Sequence, residues 1–83
     1  MELKDTVSMM TSPDYKERFK AEYWQVKIRC QKLLKIMEGH LDGALSFTPA
    51  CSTELLHNQL FTMKIYIDIL EERALIEGIE LEE

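Results

Sequence analysis

The sequence has only two cysteines, and neither belongs to a CxxC pair or to a Cys/His cluster. We therefore expect no metal site, because structural zinc is held by closely spaced Cys and His ligands. Cys30 falls at an apolar helical position and Cys51 in a connection. We expect both thiols to be reduced, as is usual for cysteines in a cytosolic chain.

Catalytic motifs are also missing from the sequence. There is no Gly-rich phosphate loop, no HExxH, and no Ser/His/Asp or Cys/His arrangement with a spacing that supports nucleophilic catalysis. His40 and His57 are isolated, and we interpret each as a surface or cap residue. The sequence therefore predicts that the protein is not an enzyme and uses no cofactor.

Long apolar runs are absent, and this bears on the compartment. No run of about 18 apolar residues is present, so we expect no membrane span. The first ten residues contain acids and lack the apolar core of a signal peptide. We therefore expect a protein of the cytoplasm.

Charge is unevenly distributed along the chain. The net charge of −5 disfavours binding to duplex nucleic acid. The segment 13–39 nevertheless carries seven bases and four acids, whereas the segment 53–78 carries two bases and five acids. These two segments can pair with each other, within or between chains, and the cationic segment could also hold a small anion.

Apolar residues spaced three or four apart predict a first amphipathic helix. Ser12 as N-cap and Pro13 at the first helical position indicate where it begins, and Gly39 indicates where it ends. We therefore expect this helix at about 13–39.

A second helix of the same kind is predicted at about 53–78, with Gly78 as its C-cap and Ile79 in apolar contact after it. Two long helices joined by a short connection form an antiparallel hairpin. The expected fold is all-α, with an N-terminal arm at 1–11 and a helical hairpin domain at 12–83.

A lone hairpin leaves apolar side chains without cover on both helices. We expect Trp24 and Ile28 on the first helix, and Ile65 and Ile69 on the second, to lack intrachain partners. Since a chain of this length struggles to bury a sufficient core alone, we predict assembly into a homo-oligomeric helical bundle.

Three polar side chains, Gln59, Tyr66 and Arg73, recur at steps of seven along the second helix, beside an apolar stripe. A helix that only packs does not usually carry such residues along its seam, so they either bridge to a partner helix or face a ligand. Arg73 can form an ordinary surface pair with Glu77, or it can grip a phosphate through two hydrogen bonds.

A cationic stripe on the first helix offers a second set of candidates. Lys16, Lys20, Tyr23 and Lys27 fall within about 60° of one another on a helical projection. Lysine heads can reach a phosphate while an aromatic face stacks a base. The alternative is that these lysines pair with acids of a neighbouring chain.

Over residues 14 to 79 the chain resembles the small two-helix hairpin proteins of tailed phages, a group that includes the anti-CBASS and anti-Thoeris sponges. Those sponges form homo-oligomers and sequester cyclic nucleotides made by bacterial immune systems, without cleaving them. The resemblance rests on Leu56, Gln59, Met63, Tyr66, Leu70 and Arg73 in the second helix and on Lys27 with Leu33 and Leu34 in the first.

The resemblance implies a phage-encoded, non-enzymatic protein that captures a small anionic nucleotide, of the cyclic nucleotide class, at subunit interfaces. The alternative is a helical protein–protein adaptor with no small-molecule ligand. In the first hypothesis Lys20 and Lys27 hold phosphate, Tyr23 or Tyr66 stacks a base, and Gln59 and Arg73 make polar contacts.

Overall fold

The structure is a computed structural model that describes residues 1–45 and 47–82. Ser46 and Glu83, both inside the predicted hairpin domain, lie outside the described residues. The described part of the chain is helical and contains no strand, which confirms the all-α prediction. No candidate membrane span is found among these helices. Its elements are a 3₁₀ turn at Leu3–Thr6 and the helices α1 at Val7–Met10, α2 at Tyr15–Leu41 and α3 at Thr53–Glu77.

Both ends of α2 differ from the prediction, since the helix continues past Gly39 to Leu41 and Ser12 is not its N-cap. Asp14 is the N-cap, and its side chain accepts a hydrogen bond from the backbone nitrogen of Lys16 at 3.0 Å. Ser12 Oγ accepts from the backbone nitrogen of Asp14 at 3.1 Å. Pro13 therefore precedes the helix, because the side chain of Asp14, and not that of Ser12, accepts from a free amide in the first helical turn.

The C-cap of α3 at Gly78 confirms the prediction, and Ser52 is the N-cap. Ser52 Oγ accepts from the backbone nitrogen of Leu55 at 3.1 Å. Gly78 has a φ of 69°, a left-handed conformation in which a side chain would be strained. The next residue, Ile79, donates its backbone N–H to Ala74 O at 2.9 Å and is buried. The helix therefore ends at Glu77, one residue before the expected boundary.

The two long helices pack as an antiparallel hairpin. Tyr15 in the first turn of α2 contacts Glu77 in the last turn of α3. The start of α2 and the end of α3 therefore lie together at the open end of the hairpin. The core lies in the seam between the helices. It consists of Phe19, Tyr23, Cys30, Met37, Leu60, Ile67, Leu70, Ala74 and Ile79.

The N-terminal arm packs on the back of α2, away from the seam. Thr6 is buried, and its Oγ1 donates to Leu3 O at 2.7 Å while accepting from Gln25 Nε2 at 3.4 Å. Ala21 and Ile28 share that side of α2 and are buried, although they are not part of the seam cluster. The expectation that Ile28 lacks intrachain cover is therefore wrong, because the arm supplies it.

Trp24 also has an intrachain partner, contrary to expectation. Its indole Nε1 donates to Leu81 O at 2.7 Å, so the segment after α3 folds back across α2. The outer side of α3 behaves as predicted, since Ile65 and Ile69 are 47% and 50% exposed. The uncovered apolar surface of the single chain is therefore concentrated on α3.

Candidate functional site

Arg73 is the centre of a cluster at the open end of the hairpin. Its Nη2 donates to Tyr15 Oη at 2.9 Å, and its Nε donates to Glu77 Oε2 at 3.1 Å. Tyr15 Oη in turn donates to Glu77 Oε1 at 2.8 Å. The guanidinium carbon lies 4.9 Å from the centroid of the Phe19 ring, a cation–π distance. Contacts on three sides therefore fix the guanidinium in one orientation.

Hydrogen bonding in this cluster sets its protonation states. The bond to Glu77 raises the pKa of Tyr15, because ionisation would place two anions side by side. The bond from Tyr15, with further help from Arg73, lowers the pKa of Glu77. Glu77 also raises the pKa of Arg73. Near neutral pH the cluster therefore holds a charged arginine, a charged carboxylate and a neutral tyrosine.

Tyr66 extends this cluster along the seam toward the middle of the hairpin. Its hydroxyl hydrogen-bonds to the carboxylate of Glu22, and this bond raises the pKa of Tyr66. Glu22 also acts electrostatically on Arg73. Tyr15 and Tyr66 are 45% and 39% exposed, so both residues offer open surface. We call Tyr15, Tyr66 and Arg73 the tyrosine–arginine side.

Gln59 lies on the same side of α3 but far from this cluster. It is exposed, fourteen residues before Arg73, which corresponds to about 21 Å along the helix. A shallow groove around it is lined by Leu55, Asn58, Thr62 and Met63. The single chain therefore does not bring Gln59 and Arg73 to one ligand.

Tyr23 is buried rather than open. Only 5% of the residue is exposed, and its hydroxyl donates to Glu71 Oε2 at 3.3 Å. Burial raises its pKa, partly offset by Lys27, whose Nζ lies 5.9 Å from the ring centroid. The stacking face expected from the sequence is thus not available to a ligand in the single chain.

The lysine side comprises Lys16, Lys20 and Lys27. Lys16 Nζ donates to Gly78 O at 3.3 Å. Within the described residues, Lys20 and Lys27 form no ion pair within 4 Å. These two cations are therefore available to an anion that approaches this side of α2.

A groove of about 320 Å³ lies between α2 and α3 next to Lys27. Its cations are countered by two carboxylates, so it is not a purely cationic site. The groove is lined by Lys27, Cys30, Gln31, Leu34, Lys64, Ile67, Asp68 and Glu71.

The six predicted site residues divide between two sides of the hairpin. Tyr23 bonds across one edge of the seam to Glu71, whereas Tyr66 bonds across the other edge to Glu22. Successive helical residues are rotated by about 100°, so Lys20 and Lys27 accompany Tyr23, while Arg73 accompanies Tyr66. One hairpin therefore does not unite the six.

Tyr15 is a candidate that sequence reasoning did not include among the site residues. It lies in the first turn of α2, and its hydroxyl bonds to both Arg73 and Glu77. Both partners lie far away in the sequence, 58 and 62 residues from Tyr15, so no local spacing pointed to it. Among the described residues, no group of three or more His, Cys, Asp or Glu side chains is placed to hold a metal ion.

Comparison with known proteins gives one match. Residues 13–76, more than half of the chain, match the family model called Sequestin. No match was found among curated proteins or among solved structures. The family name fits the resemblance to the anti-defence cyclic-nucleotide sponges, and the matched residues span both long helices. The chain therefore belongs to the Sequestin family.

Proposed function

We propose that this protein is a phage-encoded, non-enzymatic homo-oligomer that sequesters a nucleotide immune signal, of the cyclic nucleotide class, in the host cytoplasm. The observation that carries the proposal is the fixed guanidinium of Arg73 beside two half-exposed tyrosines, Tyr15 and Tyr66. The family name, which denotes sequestration, supports it.

The tyrosine–arginine side has the chemistry that a nucleotide needs. A planar guanidinium can bind two phosphate oxygens at once, and such charge-assisted bonds are among the strongest available. An exposed tyrosine ring stacks a base with little dependence on base identity. Since Glu77 already occupies part of the Arg73 fork, an incoming phosphate competes with that carboxylate for the guanidinium.

Both sides of the hairpin can serve one ligand only if two chains contribute. Lys20 and Lys27 face away from Arg73 in the single chain, so a ligand held by all three lies between a lysine side and a tyrosine–arginine side of different copies. Gln59, about 21 Å from Arg73 in its own chain, fits the same requirement. This division supports a site at subunit interfaces.

Surface area supports self-association. A compact monomer of 9.8 kDa is expected to expose about 5,200 Å². This chain exposes 5951 Å² over a shape of 43 × 24 × 18 Å. The excess is the signature of an elongated hairpin, and a second copy can cover it.

The chemistry of the tyrosine–arginine side suits holding rather than turnover. Raised pKa values keep Tyr15 and Tyr66 neutral, so neither is poised as a general base. The carboxylates of Glu22 and Glu77 are both engaged in hydrogen bonds to tyrosine. These groups can bind and orient a nucleotide, and sequestration requires nothing more.

A thermal-shift screen tests the proposal. The panel comprises cyclic mononucleotides, cyclic dinucleotides and cyclic ADP-ribose-type compounds, each with its linear counterpart as the control. A ligand present at a thousandfold over its Kd stabilises the fold by about 4 kcal/mol. We expect at least one cyclic compound to raise the Tm well above its linear control. A panel without any stabilising compound would contradict the proposal.

The alternative function is a protein–protein adaptor. It is favoured by the apolar side chains that α3 exposes, such as Phe61 at 62% and Ile76 at 79%. An adaptor would dock these residues on another protein and would show no response to nucleotides in the same screen.

A further inference from the structure

The segment that follows α3 folds back onto α2 and alternates between apolar and acidic residues. Ile79 is buried and donates its backbone N–H to Ala74 O at 2.9 Å, so it is the fixed end of the segment. Leu81 is partly buried against the core cluster, whereas Glu80 and Glu82 are exposed. The apolar residues therefore attach the segment to the hairpin, and the acids remain at its surface.

Beyond Ile79 the segment is held by few contacts, and we call residues 80–82 the strap. Trp24 Nε1 donates to Leu81 O at 2.7 Å, which ties the strap to α2. Among residues 1–45 and 47–82, neither Glu80 nor Glu82 has an ion-pair partner within 4 Å. Short segments with few buried contacts open at a small cost in free energy. The strap can therefore detach from α2 while Ile79 stays in the core.

The strap crosses the lysine side of the hairpin. Trp24 lies four residues after Lys20 and three before Lys27. The bond from its indole to Leu81 O therefore stands between the two lysines along the helix axis. Lys20 and Glu80 line the same hollow of about 370 Å³. Glu80 thus brings a negative charge to these cations without being locked in an ion pair.

The strap also covers an aromatic pair. The rings of Tyr23 and Trp24 meet edge to face, with centroids 5.3 Å apart. A hollow of about 450 Å³ is bounded by Tyr23 and by residues 79–82. Lys27 Nζ lies 5.9 Å from the centroid of the Tyr23 ring. Displacement of the strap widens this hollow and leaves aromatic surface beside a lysine, a combination that suits a base and its phosphate.

We propose that the strap is an autoinhibitory element, which closes over the lysine side in the free protein and is displaced by an anion that binds Lys20 and Lys27. The acids of the strap and the anion compete for the same cations. This competition favours ligands with several negative charges, because the ligand has to replace the charges of the strap. The proposal rests on the function proposed above only for the identity of the anion as a nucleotide.

Nuclear magnetic resonance of the indole N–H tests the strap. Trp24 is the single tryptophan of the chain, so an isotope-labelled sample gives one indole signal. Leu81→Ser weakens the attachment without a change in charge, and its spectrum gives the position of the signal when the strap is open. The probe is sodium tripolyphosphate, which carries no base, and sodium chloride at equal ionic strength is the control.

We expect tripolyphosphate to move the indole signal of the unmodified protein toward its position in Leu81→Ser and to speed its exchange with water. Sodium chloride should leave both unchanged. An indole signal that does not respond to tripolyphosphate overturns the proposal, whether or not other signals move.

A charge variant tests the competition. Glu80→Gln removes a negative charge from the strap and keeps its apolar contacts, whereas Glu72→Gln removes the same charge from an exposed part of α3. We expect Glu80→Gln to bind tripolyphosphate about threefold more tightly than Glu72→Gln, the size expected for one exposed charge contact. Equal affinities of the two variants overturn the proposal.

The same measurements separate the strap from the proposed function. A nucleotide screen without any stabilising compound, together with a strap that tripolyphosphate opens, refutes the nucleotide and leaves the strap established. A nucleotide that stabilises the protein while the indole signal stays fixed refutes the strap and leaves the proposed function intact.

Discussion

Arg73 and Tyr15, 58 residues apart in the sequence, are joined by a 2.9 Å hydrogen bond from the guanidinium to the phenol oxygen. The bond connects the last turns of α3 to the first turn of α2, so the position of the guanidinium depends on the closure of the hairpin. The guanidinium is therefore held in this position only while α2 and α3 are packed together at this end of the molecule.

Substitution of Arg73 should separate binding from stability. Arg73→Met removes the fork that we propose for phosphate but keeps much of the stem that lies over Phe19. We expect nucleotide affinity to fall by more than roughly tenfold, with little change in the Tm of the free protein, because exposed ion pairs contribute little. Isothermal titration and thermal melts measure the two effects.

Arg29→Met is the matched control for this prediction, since Arg29 is an exposed arginine on α2. Equal loss of affinity in both variants would mean that only the net charge matters.

The lysine side gives a second prediction. Lys20→Glu or Lys27→Glu should weaken nucleotide binding by more than about 2 kcal/mol, roughly thirtyfold, since each removes a charge-assisted bond and adds repulsion. Lys35→Glu, on an exposed part of the same helix, makes the same charge change and serves as the control. If all three variants bind alike, the lysine side is only a solvated edge.

Much of the fold was predictable from the sequence because local signals specify it. Periodic apolar residues and the C-cap at Gly78 placed α3 within one residue of its observed end. The start of α2 was misplaced because Ser12 and Asp14 are both good N-caps, and only geometry decides between them. The cover on Ile28 and Trp24 was missed because it comes from weakly patterned segments at the two ends of the chain.

The candidate site was harder to predict because it depends on which edge of the seam a residue faces. Helical spacing grouped Lys20, Tyr23 and Lys27 correctly on one side of α2. It could not tell that Tyr23 points into the core, since a residue at the border of a stripe can face either way. The partnership of Tyr15 with Arg73 is a long-range contact that no local pattern contains.

The tyrosines should titrate abnormally. The pKa values of Tyr15, Tyr23 and Tyr66 all lie above the usual value of 10.0. A raised pKa in the folded state means that the associated stability is complete below the unfolded value and is lost as pH rises through the folded value. Tyrosinate absorbance of the native protein should therefore rise at higher pH than that of the protein in guanidinium chloride. Superimposable titration curves would contradict these contacts.

The segment after α3 should contribute to stability. Ile79 is 7% exposed, and Ile79→Ala should cost about 2 kcal/mol of unfolding free energy through lost burial. Leu75→Ala, at a position 85% exposed, should change it by less than about 0.5 kcal/mol. Urea denaturation monitored by Trp24 fluorescence measures both. Equal midpoints for the two variants would show that the segment is not docked on α2.

Recovery of the bound nucleotide tests the central claim most directly. The protein is incubated with the nucleotide that stabilises it in the screen, freed of unbound ligand by dialysis, and denatured by heat, and the supernatant is analysed by chromatography. Sequestration predicts that the nucleotide remains with the protein through dialysis and returns intact in a fixed ratio to the chains. A hydrolysed or linearised product that accumulates with time and protein concentration would contradict the account, as would loss of all nucleotide during dialysis.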